Sequence, residues 1–434
     1  MAIFTFNEAP PLPMRVTTTN GDEWTTTASE AVGVKLGWNL KSHTAAAGSL
    51  NGGSGWRLIG SSQFYTHRKH EDMGKPHLLV IPCPAQSLVI PLVNLSKYLA
   101  KQSIKITFVN TEFNHKRVID AFGKNVAENG LLRLVSVPNA LEDGEDRREK
   151  GKLTERLGQV MPGHLKELIH KINASHEDKI SCVLADLSIG FVLDVAVELG
   201  DFDGRILAGF GVPTSGTPLV KDKMFQLPPM TPVIHPAKFL WLNIDTSPST
   251  QKIMFHTSWG NNKAVETADW VVCNSSLELE PEGFNLVPKV LPIGPLPASD
   301  RLGNFFTVFG EIQFQELALG LELTNRPFLW VVREDITEGK HHVYPQEFIE
   351  RVGDRGKMVS WAPQGAVLEH SSIACFISHC GWNSTIEGVS NGVPFLCWPY
   401  FADQFLNESY ICDIWKIGLK FERDERGIIG KEEI

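Results

Sequence analysis

Residues 361–404 read WAPQGAVLEHSSIACFISHCGWNSTIEGVSNGVPFLCWPYFADQ. Trp361 follows an apolar run, where a loop should begin, so its flat face is free to meet another ring. His379 closes the next apolar run, and Gly381-Trp382-Asn383-Ser384 leads into a helical pattern. The unpaired N–H groups and dipole of that helix start would point past the sheet edge, an arrangement that binds anions. His379, Asn383 and Ser384 add side-chain donors. Glu387 shares a helix face with Asn383, within reach of sugar hydroxyls, and Asp403 and Gln404 follow a further strand. An aromatic platform, an anion site, then carboxylates and an amide is the order of parts in a nucleotide diphosphate sugar. Each residue also has a plainer reading. Ser384-x-x-Glu387 fits a helix capping box, Trp361 a core tryptophan, His379 a structural strand-end histidine and Asp403 a helix N-cap.

Outward from this stretch, apolar and helical periods alternate. Strands are expected at 77–83, 104–110, 131–137 and 180–185, with helices at 89–101 and 164–172. A second series places strands at 328–332, 358–360, 373–378 and 395–398, with helices at 314–321 and 384–390. Short all-apolar strands alternating with helices imply parallel α/β sheets covered on both faces. The fold class is therefore α/β, with two Rossmann-like domains facing a cleft. The Pro-rich VLPIGPLPASDRLGN between the series marks a linker. The domains are read as 76–297 and 306–434, joined by 298–305. Residues 1–75 are rich in Thr, Ser, Gly and Ala, show no sustained period, and read as a mostly disordered extension. Met73 stands just before the first clear strand. Acidic residues in the extension, among them Glu8 and Asp22, weigh against a transit peptide.

The 434-residue chain has a net charge of -9 and no Lys/Arg block, which argues against nucleic acid or anionic lipid as partner. No apolar run has the length of a membrane span, and a cytoplasmic monomer is expected. In that compartment the N-x-S/T triplets, such as those at Asn94 and Asn407, carry no meaning. The seven cysteines lack C-x-x-C spacing and sit mostly in apolar runs, as small buried hydrophobes in a reducing compartment do. No His/Asp/Cys cluster has metal-ligand spacing, so neither metal nor cofactor is expected.

The 361–404 segment closely resembles the plant secondary product glycosyltransferase box of the plant-type UDP-glycosyltransferases. WAPQ, HCGWNS, Glu387 and the closing Asp403-Gln404 stand at the family's spacing. NTEFNHKRV (110–118), ADWVVCNSSLELEP (268–281) and LALGLELTNRPFLWVVR (317–333) extend the resemblance over most of 76–434. It implies a GT-B fold and inverting transfer of a sugar from a UDP-sugar to a hydroxyl of a small lipophilic metabolite. It further implies that Trp361 stacks on uracil with Gln364 near the ribose, and that Glu387 holds the ribose hydroxyls. His379, Asn383 and Ser384 would bind the diphosphate, and Trp382, Asp403 and Gln404 the sugar. Gln at 404 implies UDP-glucose as donor.

The chain departs from this pattern where catalysis is expected. Family members carry a His in a P-A-Q-G-H loop after the first strand. Here the loop is Pro84-Ala85-Gln86-Ser87-Leu88. Leucine accepts no proton, and losing a general base costs about 10²–10⁴ in rate. Asp186, which matches the aspartate that orients that His, remains as the catalytic candidate. The family's first strand of the second domain, with its Gly-Ser phosphate loop, is not found after Asn304. The stretch 200–216 is also shorter than in the family, and the chain stops at Ile434 within KEEI. The second domain is accordingly expected to be incomplete and activity impaired. Two alternatives stand beside this reading: a non-catalytic UDP-sugar-binding relative or aberrant gene model, and a nucleotide-dependent oxidoreductase. The last rests on Gly209-x-Gly211 alone, without a G-x-G-x-x-G turn after the first strand.

Overall fold

The computed structural model describes residues 2–5, 14–17, 23–26, 76–122, 130–141, 145, 149–175, 178–199, 205–209, 224–226, 230–243, 247–296, 310–332 and 344–434. Two sheets organise them. The strands are β1 (Ala2–Thr5), β2 (Met14–Thr17), β3 (Glu23–Thr26), β4 (His77–Ile81), β5 (Lys105–Thr111), β6 (Leu132–Val137), β7 (Cys182–Asp186), β8 (Arg205–Gly209), β9 (Phe225–Gln226), β10 (Val233–Ile234), β11 (Trp270–Cys273), β12 (Val290–Pro292), β13 (Phe328–Val331), β14 (Gly356–Val359), β15 (Ile373–Ser378), β16 (Phe395–Cys397) and β17 (Gly418–Lys420). The first domain is a seven-stranded sheet, ordered β12-β11-β8-β7-β4-β5-β6, with every neighbouring pair parallel.

β4 explains that arrangement at its centre. All five of its residues, HLLVI, are buried, so it takes cover on both faces and cannot alternate with polar residues. Leu79 and Ile81 pack toward Leu165, Ile169 and Val192, whereas Leu78 and Val80 pack toward Leu92, Val93 and Val118. The covering helices are α1 (Gln86–Lys101), α2 (Glu112–Phe122), α3 (Lys150–Asn173), α4 (Phe191–Glu198) and α5 (Pro248–Thr267). His77 is the polar exception within β4. Its Nε2 meets Thr107 Oγ1 at 2.8 Å and its Nδ1 meets the Asp178 carbonyl at 2.7 Å. Burial holds its pKa below the ordinary range.

The second sheet has six strands in the order β14-β13-β1-β15-β16-β17. The helices of this half are α6 (Glu311–Leu323), α7 (Gln364–Glu369), α8 (Trp382–Ser390) and α9 (Gln404–Ser409). β13 runs parallel to β14, and β15 to β16 and onward to β17. β1 is antiparallel to both β13 and β15. The five strands from the body of the chain therefore share one direction, and their C-terminal ends share one edge.

This half differs from expectation in one respect. The composition of the N-terminal extension predicts no regular structure, yet 2–5 forms a central strand and 14–17 pairs with 23–26. Ala-Ile-Phe-Thr supplies the β-branched and aromatic residues that suit a pleated, paired segment. Four residues are too few for a sequence period to register. The rest of the extension, the 298–305 linker and the phosphate loop's expected place lie outside the described residues. Among the described residues the cysteines are free thiols, with Cys380 and Cys397 buried in the second core. The segment 431–434 carries a single 3-10 turn, Lys431–Glu433.

Candidate functional site

The loops after β14, β15 and β16 leave the same sheet edge because those strands are parallel. They carry Trp361, then His379 to Gly381, then Trp398 to Asp403. Trp361 stands in the loop before α7 and is 48% exposed, a large aromatic face open to solvent. The core reading of this tryptophan does not hold.

Behind it the side chains converge. Gln364, the first residue of α7, donates from Nε2 to Ser384 Oγ at 3.0 Å and to Glu387 Oε2 at 2.6 Å. All three residues are buried. One amide from α7 thus joins a hydroxyl and a carboxylate of α8. Such a network is worth its desolvation only when its members are satisfied.

The capping box at Ser384 does not form, and Asp403 caps its helix by position only. The N-cap of α8 is Gly381, which has no side chain, so Ser384 lies inside the first turn. Asp403 holds the N-cap position of α9, but its carboxylate makes no cap bond. Instead Asn407 donates to Asp403 Oδ2 at 2.9 Å, and the Trp382 N–H at the start of α8 also supports it. Burial raises the Asp403 pKa, and these hydrogen bonds oppose the rise.

The His379 turn is tightly built. Cys380 adopts φ 60°, the left-handed region that few residues other than glycine favour. Its N–H donates to Ser378 Oγ at 3.1 Å, and its carbonyl accepts from Asn407 Nδ2 at 2.8 Å. A Cβ on Gly381 would lie 2.4 Å from His379 Nε2, so any larger residue there displaces the imidazole. Asn383 follows in the first turn of α8. Gln404 is buried, and its Oε1 accepts from Tyr400 N–H at 2.7 Å and Phe401 N–H at 3.0 Å.

Trp382 also links the two halves of the structure. Its indole N–H donates to the Asn274 carbonyl of the first domain at 2.8 Å, and its ring lies 6.3 Å from that of Trp415. The ring serves contact between the domains, while the backbone N–H turns to Asp403. Sequence reasoning missed the residues that tie this edge to the first domain. Asn243 accepts from Ala402 N–H at 2.5 Å and donates to the Ala402 carbonyl at 3.3 Å. Trp415 Nε1 donates to the Leu279 carbonyl at 2.9 Å. Asn407, which the sequence shows only as part of an N-x-S triplet, also belongs to the site. Its signal was its place four residues after Asp403, on the same helix face.

In the first domain Asp186 ends β7 and is fully buried. Register pairs Ala185 with Ile81, which sets Asp186 beside the loop that leads to α1. Asp186 Oδ1 accepts from Ser188 N–H at 2.8 Å. Oδ2 is buried with no hydrogen-bond partner among the described residues. Burial lifts the pKa to about 7 against the pull of Ser188. The pKa of the half-buried Cys83 thiol is also raised, by desolvation and by the Asp186 charge. Leu88 lies in the first turn of α1, half-buried. Asn114 Nδ2 braces the preceding loop through the Pro84 carbonyl at 3.0 Å.

Among the described residues no group of three or more His, Cys, Asp or Glu is placed to hold a metal ion. No helix among them is long and apolar enough to cross a membrane.

The chain is similar to known proteins over most of its length. The family model for UDP-glucoronosyl and UDP-glucosyl transferases matches residues 301–422. UDP-glycosyltransferase 83A1 of Arabidopsis thaliana is 41% identical over 423 residues, spanning 85% of this chain and 89% of that protein. Linamarin synthase 1 of Manihot esculenta is 31% identical, over 82% of this chain and 88% of its own length. Among solved structures, a UDP-glucosyltransferase from Polygonum tinctorium capable of glucosylating indoxyl superposes with a TM-score of 0.69. The match covers 83% of this chain and 87% of that one at 24% identity, and it shows a common fold.

Proposed function

The chain belongs to the plant UDP-glycosyltransferases, enzymes of the GT-B fold, and from that premise we propose that it binds UDP-glucose in its second domain and transfers glucose poorly to a small lipophilic hydroxyl acceptor. The observation that carries the donor site is the buried Gln364–Ser384–Glu387 cluster beside the exposed Trp361. Trp361 would stack on uracil, and Glu387 with Gln364 would take the ribose hydroxyls. The α8 start, with His379, Asn383 and Ser384, would take the diphosphate. Trp382, Asp403 and Gln404 would hold the glucose, with the Trp382 main-chain N–H supporting Asp403. The linamarin synthase and indoxyl glucosyltransferase among the relatives and neighbours support a small hydroxylated acceptor.

Inversion requires the acceptor hydroxyl to attack the anomeric carbon while a base takes its proton and the UDP–sugar bond breaks. Leu88 cannot do this. Asp186 is the remaining base: an unpartnered buried carboxyl oxygen with a pKa lifted to about 7, poised to exchange a proton near neutral pH. It lacks an imidazole to carry the proton, which is why transfer is slow. Assay of UDP release and glucose transfer across phenolic, cyanohydrin and terpenoid hydroxyls tests the reading. Transfer as rapid as in a histidine-bearing relative would overturn the impaired assignment. Total loss of UDP-glucose binding would overturn the donor site.

A further inference from the structure

The central place in the second sheet is filled from the far end of the chain. In a parallel α/β sheet, a helix that leads into a strand is itself entered from a neighbouring parallel strand, through a right-handed crossover. α6 leads into β13, and the strand that should precede it would lie on β13's side facing β15. That place is held by Ala2–Thr5. β1 pairs Ala2 with Trp330, Ile3 with Leu329 and Phe4 with Phe328 on one side. On the other it pairs Ala2 with Ile377, Ile3 with Phe376 and Phe4 with Cys375, then slips by a bulge at Thr5. A segment inserted from outside the crossover chain is free to run antiparallel, and β1 does so against both neighbours.

From this geometry we infer that β13 and β15 form a strand-accepting slot, and that the N-terminal segment is its dedicated intramolecular occupant. Phe328, Trp330, Phe376 and Ile377 are all buried. With the slot empty, their backbone groups would face each other across two strand spacings, about 10 Å, without their ladder partners. The donor half of the molecule therefore depends on a segment more than three hundred residues away in sequence. The slot lies behind the nucleotide edge. β15 ends at Ser378, next to His379, and β13 borders the strand that leads to Trp361. Loss of β1 would loosen both arms of the donor site without touching a ligand-facing residue. The sequence limits the insertion to its first residues, since Pro10 and Pro11 cannot continue a two-sided ladder.

Hydrogen exchange on the full chain, read peptide by peptide, tests this. The amides of residues 2–4 exchange about a hundredfold or more slower than an unstructured tail. Ile3→Pro removes a ladder donor in a strand paired on both sides, while Ile3→Val keeps it. In the Pro variant, the amides of 328–331 and 373–378 exchange about ten- to a hundredfold faster, and the Val variant matches the parent. If residues 2–4 exchange as a free tail while 328–331 and 373–378 stay protected, the slot is not filled by β1. Unchanged exchange in the Pro variant would overturn the inference equally. The readout needs no nucleotide, so a chain that protects β1 yet binds no UDP refutes the donor site alone.

Discussion

A leucine at position 88 cannot take a proton, which leaves Asp186 as the proposed base. In the folded protein the Asp186 carboxyl keeps its proton up to about pH 7, against an ordinary 3.8. Between those values the unfolded chain binds fewer protons than the folded one, so stability falls as pH rises through this window. The fall is at most about 4 kcal/mol, because each pH unit between the two values is worth about 1.4 kcal/mol. Asp186→Asn is expected to flatten that slope in urea unfolding measured from pH 4 to pH 8, and to abolish residual transfer. In the parent chain, residual transfer should rise about tenfold per pH unit up to about 7, because the base is the ionised form. Leu88→His should raise kcat by about 10²–10⁴ if an imidazole at that point can pass its proton to Asp186. A rate unchanged by the histidine would place the defect elsewhere. The sequence singled out both positions, Leu88 as a departure from the family's pattern and Asp186 as its match. The raised pKa was not legible there, since it arises from burial that only the packed β4–β7 edge creates.

At the scale of elements, the donor site depends on turns that share few side-chain solutions. Gly381→Ala would press a methyl onto His379 Nε2, so the imidazole must move. UDP affinity should fall about tenfold or more with little change in the sheet, as read by titration beside far-UV dichroism. Asn407→Ala leaves the Cys380 carbonyl and the Asp403 carboxylate without their shared donor. A cost of about 1–3 kcal/mol is expected, with the thermal midpoint lowered by about 2–8 °C. A midpoint within about a degree of the parent would show that water replaces the amide. The strands and helices around these turns followed from alternating apolar runs, because a parallel strand buried on both faces writes itself as HLLVI. The residues that brace the turns did not. Asn407, Asn274 and Asn243 act through backbone carbonyls and amides of distant segments, and an asparagine in a sequence gives no direction to its partner.

For the whole molecule, the two sheet domains are bridged by Trp382, Trp415 and Asn243. Trp382→Phe keeps an aromatic ring but removes the bond to the Asn274 carbonyl. Combined with Asn243→Ala, it should turn a single calorimetric unfolding transition into two, since contact between domains is what makes them melt together. A single transition in the double variant would mean that other contacts carry the coupling. The two-domain plan was readable from the two series of alternating elements. The source of the second sheet's central strand was not readable. Nothing in AIFT points across more than three hundred residues to the gap between β13 and β15.

The central claim is that this chain keeps a working UDP-sugar site although it has lost the family's histidine. Isothermal titration of the parent chain and of Glu387→Ala with UDP tests it most directly. The parent should bind one UDP saturably, and Glu387→Ala should bind about ten- to a hundredfold more weakly, as expected for lost hydrogen bonds to a carboxylate. An absence of heat with the parent, or equal affinity in the variant, would contradict the claim.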